Sequence, residues 1–99
     1  MAKTHYGPPE KQFNVDDSVV AAAVTGDKVA LERIYDTYVN PIYRYQYSRV
    51  GNTTDAEDLT SQTFMAVLES LPRYKFGGYF SAWIFRIAHN KATDFFQVQ

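Results

Sequence analysis

The sequence predicts an all-α fold, a compact bundle of about four helices, and three observations carry that prediction. Apolar residues recur at spacings of three and four along most of the chain, the period of one helix face. Capping residues, Gly and Pro divide the chain at intervals of helix length. The alternating runs and turn pairs that mark β-hairpins are missing. At 99 residues, 45% of them hydrophobic, the chain is long enough for one core and too short for two.

Residues 1–13 contain Gly7-Pro8-Pro9 and no apolar period, so they read as a flexible N-terminal arm, and 14–99 as the domain. Asn14, three residues before Asp17, reads as the N-cap of a first helix through Ser18–Val24, which stops at Thr25-Gly26. A second helix starts at Asp27, carries Leu31, Ile34, Tyr38, Ile42 and Tyr45 on one face, and ends at Gly51-Asn52. Pro41 lies inside it, which predicts a kink or two abutting helices. Thr54-Asp55-Ala56-Glu57 has the pattern of a capping box opening a third helix. Its apolar stripe is Ala56, Leu59, Thr63, Ala66, Val67 and Ser70/Leu71, and Pro72 closes it. Residues 72–79 read as a loop in which the Gly77-Gly78 pair permits unusual backbone angles. The last helix runs from about Phe80 to the end, with Phe80, Trp83, Ile84, Ile87, Ala88 and Phe95 on one side. Phe85 and Phe96 project off that side, which suggests contact with the first helix or with a ligand.

Charge is divided along the chain. Up to Leu71 there are 6 Lys/Arg against 10 Asp/Glu; after it, 4 against 1. The four late cations, Arg73, Lys75, Arg86 and Lys91, stand among Tyr74, Phe76, Tyr79, Phe80, Trp83, Phe85, Phe95 and Phe96. Cations interleaved with rings are how single-stranded nucleic acid is commonly held, although most aromatic residues on a helix are core. On the third helix a separate stripe of Asp58, Gln62, Met65 and Glu69 lines up at spacings of four, three and four. It is either a solvated face or a docking surface on which Met adapts to a partner and the acids select a basic one.

Other functions are excluded or weakened. With no Cys, disulfides, thiolate metal sites and cysteine nucleophiles are ruled out, and the cytoplasm is the expected compartment. No apolar run approaches a membrane span, and no signal peptide is read at the N-terminus. His5 and His89 have no ligand spacing, the acids of the third helix's first turn are accounted for by capping and the helix dipole, and Gly77-Gly78 follows no strand. The expectation is a binding module without enzymatic activity, metal or cofactor.

Three blocks in order carry a resemblance to a known family: Leu31 to Gly51 (LERIYDTYVNPIYRYQYSRVG), Asp55 to Leu71 (DAEDLTSQTFMAVLESL) and Pro72 to Phe96 (PRYKFGGYFSAWIFRIAHNKATDFF). The pieces DAEDLxxxTF and WxxRIAxNxxxD are the most specific, the second formed by Trp83, Arg86, Ile87, Ala88, Asn90 and Asp94. Together they resemble region 2 of an extracytoplasmic-function (ECF) RNA polymerase sigma factor. The resemblance implies a transcription initiation domain that docks on the β′ clamp helices of the RNA polymerase core through Asp58, Gln62, Met65 and Glu69. It implies that the loop and last helix recognise and melt the minus-ten promoter element and capture a flipped base of the single-stranded non-template strand. Tyr74 and Asn90 match the family positions for that capture. Physically, Tyr74, Phe76 and Tyr79 are the stacking candidates, Asn90 the reader of a base edge, and Arg73, Lys75, Arg86 and Lys91 the backbone holders. Trp83, on the apolar stripe, reads as core. An anti-sigma factor is a further implied partner, and a membrane is not.

The chain departs from the family pattern in places. Ser61-Gln62 stands where Gln-Glu is frequent, which weakens the charged part of the polymerase contact. Tyr79 takes the place of a capping Ser, and Phe95-Phe96 that of basic residues. No helix-turn-helix domain for the minus-thirty-five element follows, which suggests a fragment of a longer protein. The alternative reading is a helical protein-binding module that does not touch DNA.

Overall fold

A computed structural model describes residues 15–97. Four helices follow one another: α1 (Asp17–Val24), α2 (Lys28–Val50), α3 (Thr53–Ser70) and α4 (Phe80–Gln97), with a 3₁₀ turn (Leu71–Arg73) after α3. No strand occurs among the described residues, so the all-α bundle is as the sequence predicts. The N-terminal arm of residues 1–13 and the Asn14 cap lie outside the described residues.

α1 buries Val20 and Ala23 against the rest of the bundle. The residue preceding it, Asp16, makes no side-chain cap. Asp27 caps α2 instead by accepting from the Ala30 amide at 2.9 Å. The residues of α2 that become buried are Ala30, Ile34, Tyr38, Ile42 and Gln46, an unbroken spacing of four. Leu31 and Tyr45, expected on that stripe, only flank it. The helix is continuous through Pro41, so the alternative of two abutting helices does not hold. Pro41 removes one amide bond, and burial of Tyr38 and Ile42 on either side keeps the flanking turns helical.

α2 ends at Gly51, whose left-handed φ of 78° lets its amide reach the Tyr47 carbonyl at 2.8 Å. That reversal leaves Asn52 extended, and Asn52 rather than Thr54 caps α3. Its Oδ1 accepts from the Asp55 amide at 2.9 Å, and its Nδ2 donates to Asp55 Oδ2 at 2.8 Å. The box expected at Thr54 and Glu57 is not formed, because both are already inside the helix; Asn leads Thr as an N-cap and stands at the chain reversal. Replacing Asn52 by Ala is expected to cost about 1 kcal/mol of stability, readable by urea denaturation.

The buried face of α3 is Ala56, Leu59, Thr60, Thr63 and Val67, continued by Leu71. The two threonines enter the core because each hydroxyl donates to a carbonyl one turn back, Ala56 O and Leu59 O, both at 2.7 Å. Ala66 and Ser70 are only half-buried. The 3₁₀ turn takes up the first two residues of the expected loop, leaving 74–79 irregular.

α4 buries Phe80, Ser81, Ile84, Ala88 and Ala92. Trp83, Ile87 and Phe95, expected on the core stripe, are half-buried at its edge. Phe85 packs edge-on against Tyr45 of α2, ring centres 6.0 Å apart. Two polar links tie the helices together inside the core. Tyr38 Oη meets Ser81 Oγ at 2.7 Å, and Gln46, fully buried, donates to Ala88 O at 2.9 Å and stands 3.4 Å from Thr63 Oγ1. Gln46 therefore joins α2, α3 and α4, and a buried amide that donates across two interfaces fixes their register.

Candidate functional site

The start of α4 and the loop before it form one end of the bundle. Tyr74 is half-buried there at the centre of a ring cluster, its ring centre 5.0 Å from Trp83, 5.3 Å from Phe80 and 5.1 Å from Phe76, each edge to face. Phe80 and Trp83 lie 5.3 Å apart at 33°. Gly77, at φ 121°, gives the loop a bend that side-chain-bearing residues avoid. The amide of Trp83 bonds to Tyr79 O at 3.2 Å, so α4 begins on a residue that has no capping side chain to offer.

Against this cluster lies a cavity of about 440 Å³ lined by Arg73, Tyr74, Lys75, Gly78, Tyr79, Ala82, Trp83 and Arg86. Five sequence-predicted residues, Arg73, Tyr74, Lys75, Tyr79 and Arg86, are thus brought together. Trp83, read from sequence as core, both packs on the core and walls the cavity. Its spacing of four from Tyr79 and three to Arg86 is the signal that could have found it. Phe76 backs Tyr74 without lining the cavity and is exposed. Asn90 is exposed one turn beyond Arg86 on the same face, outside the lining. Lys91, about 100° further round the helix, is half-buried and does not line it either. The Tyr74 phenol is pushed above the ordinary tyrosine value, by burial first and then by the negative charge of Asp17. It stays neutral at working pH, with a proton to donate. Chemically, the site offers flat apolar walls, a hydroxyl and three cations, which suits a planar ring system carrying negative charge.

A second surface runs along α3. Asp58, Gln62, Met65 and Glu69 are all exposed, and Gln62 Nε2 donates to Asp58 Oδ2 at 2.8 Å, which orders the acidic part of the stripe. Met65 is 63% exposed and Leu68 beside it 54%, too much apolar surface for a face built only for water. Sequence reasoning missed Leu68 and Phe64. They border an apolar groove of about 510 Å³ between α2 and α3, where Tyr35 meets Phe64 at 4.9 Å. Among the described residues no cluster of His, Asp and Glu is arranged to hold a metal ion, and no helix is long and apolar enough to cross a membrane.

Residues 34–99, which include both surfaces, match the family model described as Sigma-70 region 2. The chain belongs to the sigma-70 region 2 family. Its relatives are of the ECF class. The chain is 41% identical over 80 residues to the ECF RNA polymerase sigma factor BldN of Streptomyces coelicolor, which covers 80% of this chain and 30% of that protein. It is 33% identical to SigW of Bacillus subtilis, over 70% of this chain and 37% of the relative. To SigD of Mycobacterium tuberculosis it is 36% identical, over 79% of this chain and 39% of the relative. The chain thus spans about a third of the length of the curated relatives it matches. In this sigma region 2 domain, α3 presents the acid-and-Met face, and the 3₁₀ turn, loop and α4 form the aromatic cavity.

Proposed function

We propose that this sigma region 2 domain acts in transcription initiation in the cytoplasm, docking on RNA polymerase and opening the minus-ten promoter element. The observation that carries the reading is the cavity beneath Tyr74, in which ring walls and three cations meet at the loop. A flipped base of the non-template strand enters between Tyr74, Tyr79 and Trp83, and Arg73, Lys75 and Arg86 hold its phosphates. Asn90, next along the face, reads an edge of the adjoining base, and Lys91 and Phe76 support the strand and the ring cluster from outside the cavity. Stacking repays the cost of unstacking the duplex, so the domain melts DNA by capturing the open strand and needs no catalytic group. The face of Asp58, Gln62, Met65 and Glu69 docks on the β′ clamp helices, with the exposed Met65 and Leu68 supplying apolar area beside the acids. An anti-sigma factor covering either face would block the activity.

The test is fluorescence anisotropy of the 99-residue chain with single-stranded minus-ten-like oligonucleotides across a salt series, with a clamp-helix fragment in parallel. Sequence-selective binding with a negative salt slope is expected. Tight fragment binding without DNA affinity would favour the pure protein-binding module. Asp58→Lys is expected to weaken fragment binding and leave the circular dichroism spectrum unchanged, because Asp58 is exposed and its carboxylate accepts from Gln62 of the same helix.

A further inference from the structure

We propose that a second nucleotide site adjoins the base cavity, where Arg49 binds a phosphate and Phe96 stacks a base of the same single strand. The inference rests on the cavity reading above and extends the strand's path beyond it. Arg49 stands in the last turn of α2 and is half-buried. Its Nη1 donates to Tyr45 Oη at 2.7 Å and lies 3.4 Å from His89 Nδ1, while Tyr45 Oη is 3.1 Å from that same nitrogen. The guanidinium carbon sits 5.7 Å from the ring centres of both Tyr45 and Phe96.

Arg49 is therefore held in place by a phenol, an imidazole and two ring faces, and no carboxylate among the described residues pairs with it. A guanidinium has five N–H donors in a planar fork, and those not used on Tyr45 and His89 have no described partner. A cation already immobilised by rings and hydrogen bonds loses little freedom on binding an anion, and the planar fork matches a phosphate. Its position at the carbonyl end of α2 favours a cation for another reason, the helix dipole. That reason does not account for Phe96, a large ring left 46% exposed beside the cation. A cation with an open ring next to it is the combination that holds one nucleotide of a single strand.

The site is continuous with the cavity. His89 is about 60° around α4 from Arg86, which lines the cavity, so the two share a flank of the helix. From Arg86 to Phe96 is roughly 15 Å along the axis at the helical rise, the distance of a few nucleotides. A strand leaving the cavity past Arg86 would meet Arg49 next.

The experiment is anisotropy of the full chain with single-stranded minus-ten-like DNA, using short oligonucleotides that reach only the cavity and others lengthened stepwise at either end. For the wild type, affinity should step up once the added nucleotides reach Arg49. Arg49→Gln should remove that step, about a tenfold loss for the long oligonucleotides if one charge-assisted contact is lost, and should reduce the salt slope by about 0.7. Short oligonucleotides should bind the variant as they bind the wild type. Arg49→Lys should keep the slope, and Phe96→Leu should lose part of the step with the slope intact. Unchanged long-oligonucleotide affinity and slope in Arg49→Gln would overturn the second site and leave the cavity standing, provided short oligonucleotides bind. Equal losses for short and long DNA with a lowered melting temperature would assign Arg49 to the fold and overturn the site as well. If the wild type binds no oligonucleotide, the cavity reading falls and this one with it.

Discussion

Tyr38→Ala is expected to remove about 3–5 kcal/mol of unfolding free energy, the usual cost of truncating a buried aromatic side chain. Domains of this size have only about 5–15 kcal/mol to lose, so the variant should be partly unfolded at moderate temperature. Tyr38 is fully buried in α2, its ring centre 5.8 Å from Phe80 and its hydroxyl 2.7 Å from Ser81 Oγ. Phe80 in turn packs on Tyr74 and Trp83, so the side chain supports the floor of the cavity from beneath. Tyr38→Phe keeps the ring and deletes one hydrogen bond, which should cost about 1 kcal/mol. Chemical denaturation of the two variants would separate ring from hydroxyl. Equal losses would mean that the Ser81 link, and not packing, holds the start of α4.

The same residue gives the fold a dependence on alkaline pH. Burial pushes the Tyr38 phenol above its ordinary 10.0, against the opposing effect of its Ser81 hydrogen bond, and negative charge on Tyr74 would raise it further. The unfolded chain therefore releases the Tyr38 proton at a lower pH than the folded one. The contribution is fully present below about pH 10 and is lost as pH rises from there through the folded value. Unfolding free energy should fall more steeply above pH 10 for the wild type than for Tyr38→Phe.

Elements whose signal lies in spacing were legible in the sequence. The four helices, the end of α2 at Gly51 and the loop before Phe80 all follow from periodicity and backbone chemistry, and the stripe from Asp58 to Glu69 is exposed as its spacing implies. What stayed hidden depends on partners far apart in the chain. Gln46 and Ser81 look like surface residues until their carbonyl and hydroxyl partners, 42 and 43 positions away, are in place. The cap of α3 moved to Asn52 because two local signals competed and the chain reversal at Gly51 favoured the earlier one. Trp83 was assigned to one face, yet a large ring at the edge of a stripe touches the core with one side and a cavity with the other. The grouping of Arg73, Tyr74, Lys75, Tyr79 and Arg86 was readable because a short loop and the first two turns of α4 hold them all. Asn90, grouped with them by the family resemblance, and Lys91, grouped with them by composition, lie further along α4 and stand outside the lining.

Tyr74→Ala is expected to weaken binding of minus-ten-like single-stranded DNA by about 1–3 kcal/mol, the worth of one stacked base, or roughly 5- to 150-fold in dissociation constant. The side chain lines the cavity and also touches Phe76, Phe80 and Trp83, so truncation alone could act through the fold. Tyr74→Phe separates the two effects, since it keeps the ring and all three ring contacts and removes only the hydroxyl. If stacking carries the affinity, Tyr74→Phe binds like the wild type and Tyr74→Ala does not. If the hydroxyl is the recognising group, both variants lose affinity and the loss depends on which base is offered, because the neutral phenol donates to some base edges and not to others. A base that stacks without being read would lose affinity equally across all four bases in Tyr74→Ala. Anisotropy with oligonucleotides varied at a single position, at a salt concentration where the wild type binds, distinguishes these outcomes. Unchanged affinity in both variants would remove the captured base from this cavity, leaving its three cations as a phosphate site alone.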